Sequence, residues 1–248
     1  MLSSTDDRRQ SRQDWEYLKT RVNFPPKEII LELALSASRH VPGSIIEFGV
    51  AEGVSTRAIR RILDRLEAGE PAASRKKIFA CDSFQGLTEK YENAEVGTFA
   101  CTPPDIPGVE IVQGFFEDTL DQGLTNRVGK VAFASLDADL YSSTLCALRW
   151  LTPLLQTGSL LLFDEFLGEN ESEKRAFDEW SDEVGISTIL VAEFLREPSG
   201  WGEKVDLRPL FQVVKAEELP ARPAPRSDLR SRVSRKLRSF ARRLVPPR

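Results

Sequence analysis

Two segments of the chain place carboxylates directly behind apolar runs. Ala134-Ser135-Leu136-Asp137-Ala138-Asp139-Leu140-Tyr141 and Leu161-Leu162-Phe163-Asp164-Glu165-Phe166 both read as buried strands that end in acids. In a doubly wound sheet the carboxyl ends of neighbouring strands converge on one crevice, which makes Asp137, Asp164 and Glu165 candidates to lie within reach of one another. Crowded carboxylates raise one another's pKa values, and a divalent cation with oxygen ligands neutralises them; magnesium or manganese suits such a set better than zinc. A metal there would orient two substrate oxygens and lower the pKa of a bound hydroxyl, which is a design for group transfer. The same residues also have a plainer reading, in which Asp137 and Asp139 cap a helix starting near Tyr141 and Asp164 and Glu165 are turn acids. Asp139 is the first candidate for a general base. His40 is the second, although a lone histidine beside a helix end also serves for capping or packing.

A glycine turn supplies the other half of a site. Ile45-Ile46-Glu47-Phe48-Gly49-Val50-Ala51-Glu52-Gly53-Val54-Ser55 reads as a buried strand, a turn and a helix start. Gly49 and Gly53 let the backbone turn tightly and approach a ligand, and Ser55 or Thr56 is expected to cap a helix beginning near Arg57. An anion or carboxylate could sit at that helix start. The Gly-x-x-x-Gly spacing departs from the Gly-x-Gly-x-x-Gly of dinucleotide sites and disfavours nicotinamide. Lys77-Ile78-Phe79-Ala80-Cys81-Asp82 reads as the next parallel strand, with Asp82 at its carboxyl end. Asp82 could accept hydrogen bonds from both ribose hydroxyls, or cap the turn Asp82-Ser83-Phe84-Gln85-Gly86. Glu47, Gly49, Gly53 and Asp82 in this order favour a nucleoside-containing cofactor.

These residues need an alternating scaffold to hold them, and the pattern provides one. Pro25-Pro26 opens a helix through Leu31, Leu33 and Leu35 that ends before Pro42-Gly43. Thr56 to Leu66 carries Ile59, Ile62, Leu63 and Leu66 at helical spacing. Val109 to Val112, Val131 to Leu136 and Ser159 to Phe163 read as further strands, and Ile186 to Val191 and Leu210 to Val214 as the last two. Helices are expected over Phe115 to Leu124, Tyr141 to Leu155 and Glu171 to Val184. Such alternation predicts an α/β fold, a doubly wound, mostly parallel sheet covered on both faces. The stretch from Gly86 to Gly108, with Pro103, Pro104 and Pro107, is too long for an ordinary connection and reads as a lid or substrate loop.

Composition limits the alternatives. A chain of 248 residues, 41% hydrophobic and 29% charged, can bury one sizeable core. No run approaches the ~20 apolar residues of a membrane span, and the first residues lack the apolar core of a secretory signal. Cys81, Cys101 and Cys146 lack metal-ligand spacing, which points to reduced thiols, a cytoplasmic setting and no zinc site. From Arg222 to Arg248 there are ten Lys or Arg and one acid, a net +9, which leaves −13 on the remainder of a chain of net charge −4. An acidic body argues against an enzyme that reads a nucleic-acid backbone over its main surface.

Several of these blocks together resemble one family. Ile45 to Ser55, Asp82-Ser83-Phe84-Gln85-Gly86-Leu87, Gly114-Phe115-Phe116-Glu117-Asp118-Thr119-Leu120, Leu136-Asp137-Ala138-Asp139-Leu140-Tyr141-Ser142-Ser143-Thr144 and Gly158 to Phe166 look like the macrocin O-methyltransferase family of class I S-adenosylmethionine-dependent enzymes. The resemblance spans roughly residues 27 to 215. It implies a Rossmann-like seven-stranded domain over 27–218, with its lid at 88–108, after an N-terminal extension over 1–26. It implies that Glu47, Gly49 and Gly53 surround the methionine part of S-adenosylmethionine, that Asp82 binds the ribose and that the Phe116 to Asp118 region, with Glu117, lies near the adenine. Ser55, Ser83 and Asp137 are further cofactor-binding candidates. Magnesium is implied at Asp137, Asp164 and Glu165, although the family commonly has paired aspartates where this chain has Asp164-Glu165. Characterised members methylate sugar hydroxyls on antibiotics and related glycosides, so the expected partner is a small-molecule hydroxyl acceptor. Residue type alone leaves a homo-oligomer open.

After Pro220, Pro223 and Pro225, the residues Leu229, Val233, Leu237, Phe240 and Leu244 recur every three or four positions among arginines. Over 219–248 this predicts a proline-rich linker and a basic amphipathic helix. That helix could lie on an anionic membrane surface, dock on an acidic partner or pack on the protein's own acidic body. Two rival functions remain: a non-catalytic nucleoside-binding protein localised by its tail, and a Rossmann-type oxidoreductase.

Overall fold

The run Ser44–Phe48 forms β1, buried along its whole length in the middle of the sheet. A strand covered on both faces is apolar throughout rather than alternating. The computed structural model describes residues 25–167, 171–196 and 206–214. The N-terminal extension before residue 25 and the basic tail lie outside the described residues.

In chain order the elements are α1 (Lys27–Ala37), β1, α2 (Val54–Leu66), β2 (Ile78–Asp82), β3 (Glu110–Gln113), α3 (Phe116–Thr119), α4 (Gln122–Val128), β4 (Val131–Leu136), α5 (Tyr141–Leu151), β5 (Leu160–Phe163), α6 (Ser172–Val184), β6 (Ser187–Arg196) and β7 (Asp206–Val214). The seven strands lie in the order β3-β2-β1-β4-β5-β7-β6. The first five are parallel, and β7 runs antiparallel to both β5 and β6. The expected doubly wound, mostly parallel sheet is therefore present.

Period-2 side-chain direction splits the core into two layers. On one face Ile45, Ile78, Leu160 and Leu162 pack beneath Ile30, Leu31 and Leu35 of α1 and Ile59, Ile62 and Leu63 of α2. On the other, Phe163 and Phe211 meet Phe177 of α6, the last two rings stacked 4.4 Å apart. Phe48 meets Phe116 and Trp150 edge-on there. Such aromatic pairs add about 0.5–1.5 kcal/mol each beyond area burial.

Three boundaries depart from the expected ones, each for a local reason. The single helix expected over 115–124 is two, because Asp121 leaves the helix and caps α4 by accepting from the Leu124 amide at 2.7 Å. The α5 helix stops at Leu151 and tightens into a 3-10 turn over Thr152–Leu154, where Pro153 has no N–H to continue the ladder. The last two strands are longer than expected. Their ladder continues past Glu193–Pro209 to Arg196–Asp206, whereas the ladder to β5 ends at Leu210, so Pro209 has one strand neighbour rather than two.

The 88–108 stretch is folded back on the body rather than extended. Leu87 and Thr98, and Leu87 and Gly97, bond across its neck at 2.9 Å, and Tyr91 and Ala94 exchange backbone bonds within it. Leu87, Tyr91, Ala94 and Leu140 form a small apolar cluster that fastens the loop over the carboxyl end of β4.

Candidate active site

A cavity of about 340 Å³ opens at the carboxyl ends of the strands. At one end lie the Gly49 turn, Asp82, Ser83, Phe116 and Glu117; at the other lie Asp137, Asp139, Asp164 and Glu165. One continuous space thus joins the two constellations expected from sequence. Glu47, Gly53 and Ser55 stand outside its lining.

The turn after β1 is held by its neighbours before it meets any ligand. A Cβ on Gly49 would lie 1.8 Å from the carbonyl oxygen of Asp137, and Gly49 has a φ of +84°. Glycine is therefore required for packing of β1 against β4, whatever else approaches it. Asp82 Oδ2 accepts from the amides of Val50 and Ala51 at 2.7 and 2.9 Å, and Oδ1 accepts from Phe84 at 2.7 Å. Asp82 thus caps its own turn and ties it to the glycine turn. Its lone pairs are not exhausted by three donors, which leaves capacity toward a ligand's hydroxyls.

The expected caps of α2 are replaced. The helix begins at Val54 with Gly53 as N-cap in the left-handed region, and no side chain caps it. Thr56 instead donates its hydroxyl to Glu47 Oε2 at 2.5 Å. Glu47 is wholly buried and its Oε1 has no partner. Burial pushes its carboxyl up to about 7, against the opposing pull of Lys27, Ser55 and Thr56.

At the acidic end, three cations answer the three carboxylates. Lys27 Nζ, from the first turn of α1, lies 2.5 Å from Asp137 Oδ2 and 2.9 Å from Asp164 Oδ1. Arg208 of β7 donates to Asp164 Oδ1 at 2.7 Å, and Arg196 of β6 to Oδ2 at 3.1 Å. Arg196 also pairs with Glu165 Oε1, while the Tyr91 hydroxyl donates to Glu165 Oε2 at 3.0 Å. Every carboxylate oxygen of Asp164 and Glu165 therefore has a protein donor. Burial would raise Asp164, but Lys27, Arg208 and Arg196 outweigh it and hold it well below the usual range. Burial pushes Glu165 up to about 7 despite Arg196.

This arrangement does not support the magnesium expected at Asp137, Asp164 and Glu165. Among the described residues no group of three or more His, Cys, Asp or Glu is placed to hold a metal. The physical reason is occupancy: Asp137 Oδ2 and both oxygens of Asp164 and of Glu165 are committed to an ammonium, two guanidiniums and a phenol.

Asp139 lines the cavity in the left-handed region, with a φ of +56°. Burial, then Asp137, Glu165 and Asp164, raise its carboxyl well above the ordinary range. That moves a carboxylate toward the operating range of a general base. His40 does not join the site. It is exposed and lies before the amino end of β1, whereas the cavity is at the carboxyl ends. Lys27, Arg196, Arg208 and Tyr91 are the residues that sequence reasoning missed. Buried Glu173 is another: its Oε2 accepts from the Glu165 amide at 3.1 Å, its Oε1 has no partner, and burial raises its carboxyl well above the ordinary range.

The strand order, the reversed β7 and a cavity at the switch between β1 and β4 define a Rossmann-like class I methyltransferase fold. Residues 46–166 match the family described as a methyltransferase domain. The chain is 28% identical over 148 residues to a tetracenomycin enzyme of Streptomyces olivaceus, 8-demethyl-8-(2,3-dimethoxy-alpha-L-rhamnosyl)-tetracenomycin-C 4'-O-methyltransferase, a match covering 51% of this chain and 54% of that one. It is 25% identical over 174 residues to demethyldecarbamoylnovobiocin O-methyltransferase of Streptomyces niveus, covering 61% and 63%. The chain thus spans less than two thirds of either relative. Among solved structures, the O-methyltransferase NovP superposes with a TM-score of 0.59 at 20% identity, covering 76% of this chain and 80% of that one, a likeness of fold.

Proposed function

We propose that this protein is an S-adenosylmethionine-dependent O-methyltransferase that methylates a sugar hydroxyl of a glycosylated natural product. The observation that carries the reading is the single cavity running from the Gly49 turn and Asp82 to the carboxylates at Asp137 and Asp139. The residues present suit the cofactor. Glu47, outside the cavity lining, keeps one buried oxygen without a partner behind the glycine turn, Asp82 keeps acceptor capacity for ribose hydroxyls, and Phe116 with Glu117 flanks the outer end.

When bound, the cofactor supplies an electrophilic methyl group on a sulfonium centre. The protein's part is to hold an acceptor hydroxyl on the far side of the cavity and take its proton at the Asp139 carboxylate. Tyr91 and Leu140 close that side and limit water. The acceptor class is supported by the tetracenomycin relative, whose name specifies a rhamnosyl compound as the molecule methylated.

The test is calorimetric titration of the full chain with S-adenosylmethionine, S-adenosylhomocysteine and NAD, followed by transfer of labelled methyl to a panel of rhamnosyl and other glycosides. Binding of the two sulfur nucleosides without NAD, and label in a sugar, are expected. Tight NAD binding with no sulfur-nucleoside binding would return the oxidoreductase reading.

A further inference from the structure

The cation trio around Asp137, Asp164 and Glu165 has a consequence for the chemistry of the site. Lys27 Nζ bridges carboxylates from two strands, at 2.5 Å and 2.9 Å, much as a shared metal ion would bridge them. It arrives there because Pro26 fixes the start of α1 and leaves residue 27 in the first turn, above the carboxyl ends of β4 and β5. Arg208 of β7 shares Asp164 Oδ1 with the ammonium, and Arg196 of the edge strand β6 takes Oδ2. Because Phe194 pairs with Arg208, the two arginines stand diagonally on one face of the β6–β7 ladder and reach the same carboxylate.

A divalent ion entering this set would meet three positive charges at short range and would have to displace the ammonium from both of its partners. Displacing a paired ammonium would leave it uncompensated beside two guanidiniums, a cost in a partly buried site that a new ligand bond must first offset. We propose that Lys27 is the resident cation of this site: its ammonium takes the place between Asp137 and Asp164 that crowded carboxylates would otherwise offer to a divalent metal, and methyl transfer proceeds without one. The proposal rests on the methyltransferase reading for its last clause only. Lys27 acts through the two aspartates and is a positioning residue, holding them at fixed separation beside Asp139.

The experiment is a manganese titration of the EDTA-stripped full chain and of Lys27→Ala, followed by water-proton relaxation. Wild-type protein is expected to show no stoichiometric site, and Lys27→Ala to gain one at least roughly tenfold tighter as the carboxylates lose their cation. Transfer by the wild type is expected to persist in EDTA, and transfer by Lys27→Ala to become dependent on added metal. A structural role alone would lower activity without creating metal dependence. Stoichiometric manganese binding by the wild type overturns the proposal. Absence of binding in both proteins also overturns it, since the lysine is then not what closes the site. Should Lys27→Ala fail to melt cooperatively, Lys27→Met, which keeps the apolar stem, replaces it. S-adenosylhomocysteine titration of the same samples is read separately: its failure sinks the cofactor reading and leaves the manganese result intact.

Discussion

Thr56 Oγ1 donates to Glu47 Oε2 across 2.5 Å, and the second oxygen of that buried carboxylate has no donor. A carboxyl raised from 4.5 to about 7 holds its proton more tightly in the folded chain than in the unfolded one. Its favourable contribution is complete below the unfolded pKa and is lost as pH rises through the folded one, a cost on the order of 3 kcal/mol by pH 8. Glu47→Gln is therefore expected to flatten the fall in stability between pH 5 and pH 8, and to be the more stable protein at pH 8. It is also expected to bind S-adenosylhomocysteine at least about tenfold more weakly, if Oε1 serves the cofactor. Urea melts across that pH range check the first point, and an unchanged pH slope would refute it.

Asp82 is the clamp between two turns, and its removal has a separable signature. Asp82→Ala strips three backbone amides of their acceptor, a loss of about 1–3 kcal/mol for groups that water reaches only in part. Cofactor affinity should fall by more than about tenfold, because the ribose partner and the shape of the Gly49 turn are lost together. Asp82→Asn keeps one acceptor oxygen and should fall between the two. Affinity equal to wild type in Asp82→Ala would show that the residue only caps.

The glycines of the turn are not equivalent. On Gly49 a methyl would strike the backbone carbonyl of Asp137 at 1.8 Å, an obstacle that cannot rotate away. On Gly53 it would meet the Ile106 and Pro104 side chains at 2.9 Å, in a loop. Gly49→Ala is expected to abolish cooperative folding or cost more than about 3 kcal/mol, and Gly53→Ala about 1–2 kcal/mol, chiefly from its left-handed φ. Thermal melts of the two variants side by side decide it.

Much of the fold was legible because β1, β2, β4 and β5 are buried on both faces and advertise themselves as apolar runs. Their carboxyl ends, and hence Gly49, Asp82, Asp137, Asp139, Asp164 and Glu165, followed directly. The cations did not. Lys27 meets Asp137 across 110 positions of sequence, and Arg196 and Arg208 meet Asp164 only because the edge strand β6 and its neighbour β7 run several residues past the end of the ladder to β5. The β6–β7 ladder passes Pro209 where β5 has already ended. Reading the acids without those arginines made a metal the natural neutraliser. The signal that points to one of those arginines is the run Ala192-Glu193-Phe194-Leu195-Arg196, which continues the strand to a cation. Similarly, Ser55 or Thr56 reads as a cap because residue type does not reveal that the Glu47 carboxylate lies within reach of the Thr56 hydroxyl.

Asp139→Asn removes the candidate base while keeping its shape. Asparagine also tolerates the left-handed backbone at this position, so little strain is added. Transfer should slow by about 10²-fold or more, with S-adenosylhomocysteine affinity within about twofold of wild type. The rising limb of the wild-type pH–rate profile should lie above the ordinary carboxylate range and disappear in the variant. Retention of that limb would assign the base elsewhere.

Tyr91 is the point where the 88–108 loop reaches the chemistry. Its hydroxyl donates to Glu165 at 3.0 Å, and its ring packs with Leu87, Ala94 and Leu140. Burial, then the charges of Glu165 and Asp139, raise the phenol, so it remains a donor throughout the working range. Tyr91→Phe keeps the ring contacts and deletes the donor, which leaves Glu165 Oε2 without a partner; a stability loss near 1 kcal/mol is expected. Because Tyr91 itself borders the acceptor side of the cavity, beside Glu165, KM for the acceptor should rise several-fold while cofactor affinity stays within about twofold. Equal effects on both would mean that the loop closes over the whole cavity rather than the acceptor end.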